Sequence, residues 1–587
     1  MIRAGLLVAV LVGTAAAGAA AQADTTARRD TTARDSTKRD TATALLPTLP
    51  RAIASGPQPL GARYVFTADS LLFGDVRTLS DLLGRIPGVY VARGGWFGQA
   101  EPIVFGGRGP LAVEVYWDGV PYLPVGRDSV YLDPARIPLA PLERVDVLVL
   151  PAALRVYLVT SRPRSTQAVT QVGVATGDAD IAGYRAGYAA RTRGGLGLSL
   201  LADWNHLRGS GAGITTFDNT DYWMKAEYVP PGGRLGASFQ ILSSSWRRAG
   251  ATGTVDPWRM LRRDEGLRFF AAARSDGLGP RLTGSIGSTL AEKDTAIPRR
   301  SFRQATLEAS QTWPRASVTL AGRFGFRGAP TDVEARAGWI PVPGLTLAGS
   351  RRHATYSGGR SGDRANLTAG VALPLGVSVR GEVAWMRDVQ APFVGSDSVQ
   401  EATDAAAWVR FDHPRVSFEV GRGRRDPFVP LAFAAGIRPV AQLDSTPRTD
   451  FLAAHATLHP LAGFTLSGWY FDPISGGGSF EPPHHARVSA TFYSKFWRVF
   501  PSGAFALRGE FAVESWSRWT LGGRDSGGAP RALGGATFVE TNIEMQLVGV
   551  TFFWIRHNLY GMRTGYVAGL GYPRSVQIYG ARWFFSN

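Results

Sequence analysis

The sequence predicts a transmembrane β-barrel of about 22 antiparallel strands behind a small N-terminal α/β unit. Three observations lead there. From Thr166 onward apolar and polar residues alternate with period two, as strands with one apolar and one polar face require. The connections between those strands alternate between short and generally longer ones, the asymmetry of a barrel with tight turns at one rim and loops at the other. Beyond the N-terminus no apolar stretch reaches the roughly 18 residues that a membrane helix needs, so a membrane can be crossed only by strands.

Met1 to Ala23 carries Arg3, an apolar run from Leu6 to Val12, and small residues ending in Ala21-Gln22-Ala23. This is the pattern of a secretory signal peptide cut before Asp24, and it thins into alanine and glycine too early for an anchor. Residues 24–63 repeat "DTTAR", "DTTAR" and "DSTKR" before a proline-rich passage. With no hydrophobic period the segment buries too little apolar surface to offset chain entropy, so a disordered tail is expected. Cysteine is absent, which removes disulfides and thiolate metal sites from an exported chain. The net charge of +17 is dispersed, with lysine only at 38, 225, 293 and 495, whereas a nucleic-acid binder would cluster it.

The α/β unit, residues 64–165, opens on a helix from Leu79 with Leu79, Leu82, Leu83 and Ile86 on one face. Thr78 and Asp81 form a short capping box, and Pro87-Gly88 stops the helix. Strands are expected at Val89–Val91, Ile103–Phe105, Ala112–Trp117 and Val145–Leu150, with Asp118-Gly119 as a turn. The runs "LSDLLGRIPGVYV", "VFGGRG", "AVEVYWDGVPY" and "IPLAPLERVDVLVLP", in that order and spacing, resemble the plug domain of TonB-dependent outer-membrane receptors.

That resemblance implies a plug lodged in the barrel lumen, uptake of a scarce solute, and a TonB box in the tail that pairs with the periplasmic energy-transducing protein TonB. The tail offers only Thr43-Ala44-Leu45-Leu46 as an apolar patch, and no clear TonB box. After Leu150 the family's glycine-rich exit is shortened here to Pro151–Arg155 before Val156–Thr160. The motif positions Arg108, Gly109, Asp118, Gly119, Glu143 and Arg144 are the structural residues that the resemblance carries over. Arg108, Glu143 and Arg144 are expected in salt bridges within the plug or to the wall.

The barrel, residues 166–587, places Val377, Val379, Val383 and Trp385 on one face of a strand and Ser378, Arg380 and Glu382 on the other. Phe505, Leu507 and Phe511 oppose Arg508 and Glu510 in the same way. Ten short and eleven longer connections give 22 strands, an even number that returns the C-terminus to the periplasmic side. Tyr579, Ala581, Trp583 and Phe585 share a face of the last strand, the aromatic end that barrel-assembly machinery reads.

Catalysis is not expected. No glycine loop has a phosphate-site context, Gly209-Ser210-Gly211 is no nucleophile elbow, and His484-His485, the one adjacent histidine pair, points two ways on a strand. Neither a metal centre nor a cofactor is expected. A ligand would meet the plug apex at Trp96, Phe97 and Gln99, and the segment Ser244 to Glu265, taken as an outer loop, with Trp246, Arg247, Trp258 and Arg259. Such residues stack on rings and pair with carboxylate or phosphate, which suggests an anionic small-molecule ligand. The competing assignment for them is an interfacial girdle against membrane lipid and lipopolysaccharide. At the level of the whole protein, the alternative to an importer is a plugged barrel serving as a surface receptor or structural protein without transport.

Overall fold

The computed structural model describes residues 45–51, 63–73, 78–93, 101–108, 112–125, 131–208, 216–249, 258–293, 299–394, 398–431, 444–524, 530–566, 572 and 575–586. The expected leader, most of the tail, Thr43, Ala44, Trp96, Phe97, Gln99 and Gly109 lie outside them.

The N-terminal domain runs through β1 (Arg63–Thr67), α1 (Ala68–Leu72), α2 (Leu79–Leu83), β2 (Val89–Val91), β3 (Ile103–Phe105), β4 (Val113–Trp117), β5 (Val120–Pro121), β6 (Leu142–Leu150) and β7 (Ala153–Thr160). Thr78 and Asp81 make the capping box at the start of α2. This satisfies two amide groups that a five-residue helix would otherwise leave bare. Asp118 and Gly119 both take positive φ, 48° and 89°, so β4 and β5 are joined by a turn whose twist matches the strands. The five-stranded sheet has the order β1-β6-β7-β4-β5, with β4 and β7 parallel. Leu79, Leu82, Leu83 and Ile86 of the helical segment pack on Val145, Val147, Leu154 and Val156 of the sheet. The shortened exit costs the sheet nothing: Pro151-Ala152 is a two-residue turn, and β7 pairs with β6 over its whole length.

Around this domain closes a barrel of 22 antiparallel strands in sequence order, sealed where Val576–Ser586 pairs with Val169–Gly177. Alternation sorts the side chains as a barrel wall requires. On the strand Val377–Val389, Val379 and Val383 are exposed on the outside while Ser378 and Arg380 are buried. Phe511, Tyr579 and Phe585 are likewise exposed outside.

Two expectations are corrected. Ser244 to Glu265 is not one long loop, because the strands Leu235–Arg248 and Trp258–Ala272 pair in register up to Arg248↔Trp258. Polar residues continue the ladder here, so composition mimics a loop. The tail, expected to be structureless to residue 63, holds an ordered piece at 45–51. There Leu46 N–H donates to Arg164 O at 2.9 Å, and Leu49 is buried against Val229 and Phe270. One apolar side chain fills a hollow of the wall, a local match that a hydrophobic period cannot reveal.

Candidate functional site

The plug is held in the lumen by charged pairs whose members lie far apart in the chain. Arg108, at the end of the β3 turn, donates through Nε to Asp404 Oδ2 at 2.9 Å and through Nη2 to Asp404 Oδ1. Its Nη1 donates to Asp426 O at 3.1 Å, and its guanidinium lies over the Phe428 ring. Both side chains are nearly sealed from solvent, 2% and 4% exposed. The two-pronged geometry suits a guanidinium on a carboxylate.

A larger knot is centred on Glu114 of β4. Arg155 of β7 approaches it at 2.9 Å, Arg352 of the wall pairs with it, Arg364 stands 3.8 Å away, and Tyr116 donates its hydroxyl at 3.0 Å. Arg155 reaches on to Glu334 of the wall at 2.7 Å, and Arg352 to Asp332 at 3.1 Å. Burial pushes the Glu114 carboxyl up, but Arg352, Arg155 and Arg364 outweigh it and hold the group well below the usual carboxylate range.

Asp118 uses its turn position differently. It accepts from Thr160 N–H at 3.0 Å and from the Thr160 hydroxyl, tying the β4 turn to the end of β7, and receives Lys225 of the wall at 3.1 Å. Against burial, Lys225 and Thr160 hold its carboxyl below the usual range. Glu143 and Arg144 point apart along β6. Glu143 takes Arg162 Nε at 2.7 Å, whereas Arg144 and Arg63 share Asp146. Sequence motifs thus pointed at Arg108, Asp118, Glu143 and Arg144, but carried no signal for Glu114 and Arg155, which the plug sheet sets side by side, or for Arg352 and Lys225, which the closed barrel brings to the plug.

At the outer rim the plug meets the longer connections in an aromatic cluster. Tyr90 of β2 and Tyr131 pack with Phe480, Trp519 and Tyr566 from those connections and with Trp516 and Phe538 at the ends of two wall strands. Tyr131 donates its hydroxyl to Leu431 O at 2.6 Å, and the Arg93 guanidinium lies 5.7 Å from the centre of the Tyr566 ring. The buried indole N–H groups of Trp516 and Trp519 find no acceptor among the described residues. Burial pushes the nearby Glu101 carboxyl up to about 7, although Arg93 opposes the shift.

The structure does not assemble the expected ligand residues of the 244–265 segment into one site. Trp246 faces inward and is buried with Met260, while its neighbour Arg247 is exposed on the outward face, directly opposite Arg259. Adjacent residues of a strand point to opposite faces, so this tryptophan and these arginines cannot grip one ligand. Trp258 opens the second of these strands. The two adjacent histidines also diverge, His484 toward Asp472 at 3.2 Å and His485 toward Glu514 at 2.8 Å. Among the described residues no group of three or more His, Asp or Glu side chains forms a metal centre.

Comparison with known proteins follows this geometry. A family model for the TonB-dependent receptor plug domain matches residues 58–156. No curated protein matches the chain by sequence. Among solved structures, the chain is similar to the siderophore receptor PirA from Acinetobacter baumannii, with a TM-score of 0.67 and 12% identity over 90% of this chain and 99% of that one. The ferric enterobactin receptor PfeA from Pseudomonas aeruginosa gives 0.70 and 12% over 92% and 100%. The copper transporter OprC gives 0.70 and 11% over 92% and 100%. An apolar outer face on a closed 22-strand wall makes the chain an outer-membrane protein. Residues 58–156 are thus a plug domain of the TonB-dependent receptor type, and the whole chain has the plugged-barrel fold of the solved outer-membrane receptors.

Proposed function

We propose that the protein is an energised importer of a scarce, anionic, oxygen-rich solute of the metal-chelate class, and that it has no enzymatic activity. The observation that carries the transport reading is the plug itself, a folded domain that fills the lumen and is fastened to the wall by buried ion pairs as well as by apolar patches. Such a plug blocks passage until work is done on it, which calls for TonB acting through the tail. Siderophore, ferric enterobactin and copper proteins share the fold, and this supports a metal-bearing cargo. The solute class is supported by the rim cluster, where Tyr90, Trp516 and Tyr566 offer ring faces, Arg93 a cation, and two indole N–H groups free donors.

Deleting Asp24 to Pro50 tests the reading. Uptake should be lost in a strain limited for iron or copper, while the barrel still reaches the outer membrane and migrates heat-modifiably on a gel. Because the deletion also removes the packed Leu49, a Leu49→Ala chain serves as the control and should retain uptake. Unchanged uptake after the deletion would overturn the energised-importer reading.

A further inference from the structure

Between the plug and the inner face of the wall lies a cavity of about 240 Å³, lined on the wall side by Asp203, Asn205, Asn219 and Asp221. Asp203 and Asp221 stand directly opposite each other on neighbouring strands, as do Asn205 and Asn219. Directly opposed residues bring their Cβ atoms to about 5 Å, so two carboxylates share one patch. Their charges are not treated alike. Asp203 is gripped by Arg185 at 3.0 and 3.3 Å and takes Asn205 Nδ2 at 3.2 Å. Asp221 takes the neutral amide Asn219 Nδ2 at 3.0 Å and faces the neutral Ser244 hydroxyl, while the guanidinium of Arg185 is bonded to Asp203 instead, although Asp221 is just 2% exposed.

Three buried oxygens around it have no hydrogen-bond partner: Asp221 Oδ1, Asn219 Oδ1 and Ser244 Oγ. Asn219 and Asp221 are two apart on one strand and share a face, and Ser244 is directly opposite Asp221 on the next strand. A desolvated carboxylate with no counter-charge bonded to it is costly, and the groups against it here are a neutral amide and a hydroxyl. A water molecule would supply two donors but no charge. An all-oxygen set of carboxylate, amide carbonyl and hydroxyl is the ligand chemistry of a hard cation, and the adjoining cavity has room for the waters that such an ion retains.

We propose that Asp221, Asn219 and Ser244 form a binding site for a hydrated hard divalent cation, Ca²⁺ or Mg²⁺, on the inner wall beside the plug. The ion neutralises Asp221 and fastens the strands Phe217–Tyr228 and Leu235–Arg248 at the cavity. This site is independent of the cargo, and its test reads binding rather than uptake.

The test uses the full chain, refolded free of lipopolysaccharide, stripped with a chelator and titrated calorimetrically with CaCl₂ and with MgCl₂. One equivalent of one of the two ions should bind per chain and raise the thermal midpoint. Asp221→Asn and Ser244→Ala should each weaken that binding at least tenfold. Should either variant misfold, wild-type crystals soaked in MnCl₂ decide the matter, with an anomalous peak expected beside Asp221. The proposal is overturned if the wild-type chain binds neither ion and the soaked crystals show no peak at Asp221, or if Asp221→Asn binds as wild type does. A wild-type chain indifferent to both ions, together with a higher thermal midpoint for Asp221→Asn, means a proton only and also overturns it.

Discussion

Inside the plug, Leu79, Leu82, Leu83, Ile86, Val145, Val147, Leu154 and Val156 are fully buried hydrocarbon. At its boundary with the wall, where Leu201, Trp223 and Leu242 extend that core, buried ion pairs join the apolar contacts: Arg108 with Asp404, Arg155 with Glu334, Glu114 with Arg352, and Asp118 with Lys225. Hydrocarbon packing is non-directional and makes the plug one folded body. Buried ion pairs add little net stability over apolar packing, but losing one partner strands the other charge. A boundary of this kind fixes position strictly and still allows the plug to part from the wall as a unit, provided that water reaches both sides of each pair.

The contrast is broken most severely at Glu114. Glu114→Ala leaves the guanidiniums of Arg155, Arg352 and Arg364 close together without their shared carboxylate. A loss of about 3–5 kcal/mol in plug docking is expected, on the scale of breaking a buried pair. In single-channel recordings the variant should leak where the wild type is closed. Glu114→Gln, which keeps the shape without the charge, should leak nearly as much. Closed recordings from both would show that the knot does not hold the plug.

Leu82→Ala probes the other side of the comparison. It removes a fully buried side chain of α2 and should cost about 2–5 kcal/mol in the plug itself. Protease should then cut residues 63–160 at concentrations that spare the wild type, while the barrel still migrates heat-modifiably. If the plug is one body and the wall another, the barrel's thermal midpoint should stay within error of wild type. A joint fall of both would mean that plug and wall fold as one unit.

The sequence was informative wherever a local rule decides structure. The capping box of α2, the Asp118-Gly119 turn and the alternation along Val377–Val389 are each read within a dozen residues. Counting connections gave the 22 strands because turn chemistry is local as well. What stayed hidden depends on distance or on face. Glu114 meets Arg352 across 238 positions, and no pattern at either end announces the partner. Residues 244–265 looked like a loop because the wall's ladder continues through polar residues, and Trp246 and Arg247 looked like partners until the strand set them on opposite faces. The rim cluster escaped notice for the same reason, since its aromatics come from separate connections and strand ends.

Glu101 sharpens the comparison at its smallest effect, because it belongs to the plug yet faces the cavity beside the wall. It accepts from the Ser80 hydroxyl, and its own N–H donates to Asp133 Oδ1 at 3.0 Å. With its pKa raised to about 7, mainly by burial, the folded plug binds a proton there that the unfolded chain releases above its ordinary carboxylate value. The unfolded state thus binds fewer protons between about pH 4.5 and 7, and the contribution to stability is full below that window and lost as pH rises through it. Because the side chain keeps some solvent contact, the loss should be about 1 kcal/mol rather than the full value of the shift. Glu101→Gln should remove this slope. Proteolysis of the plug measured from pH 5 to pH 8 should speed up with pH in the wild type and stay level in the variant. Equal slopes in the two chains would show that Glu101 titrates in the folded plug as it does in water.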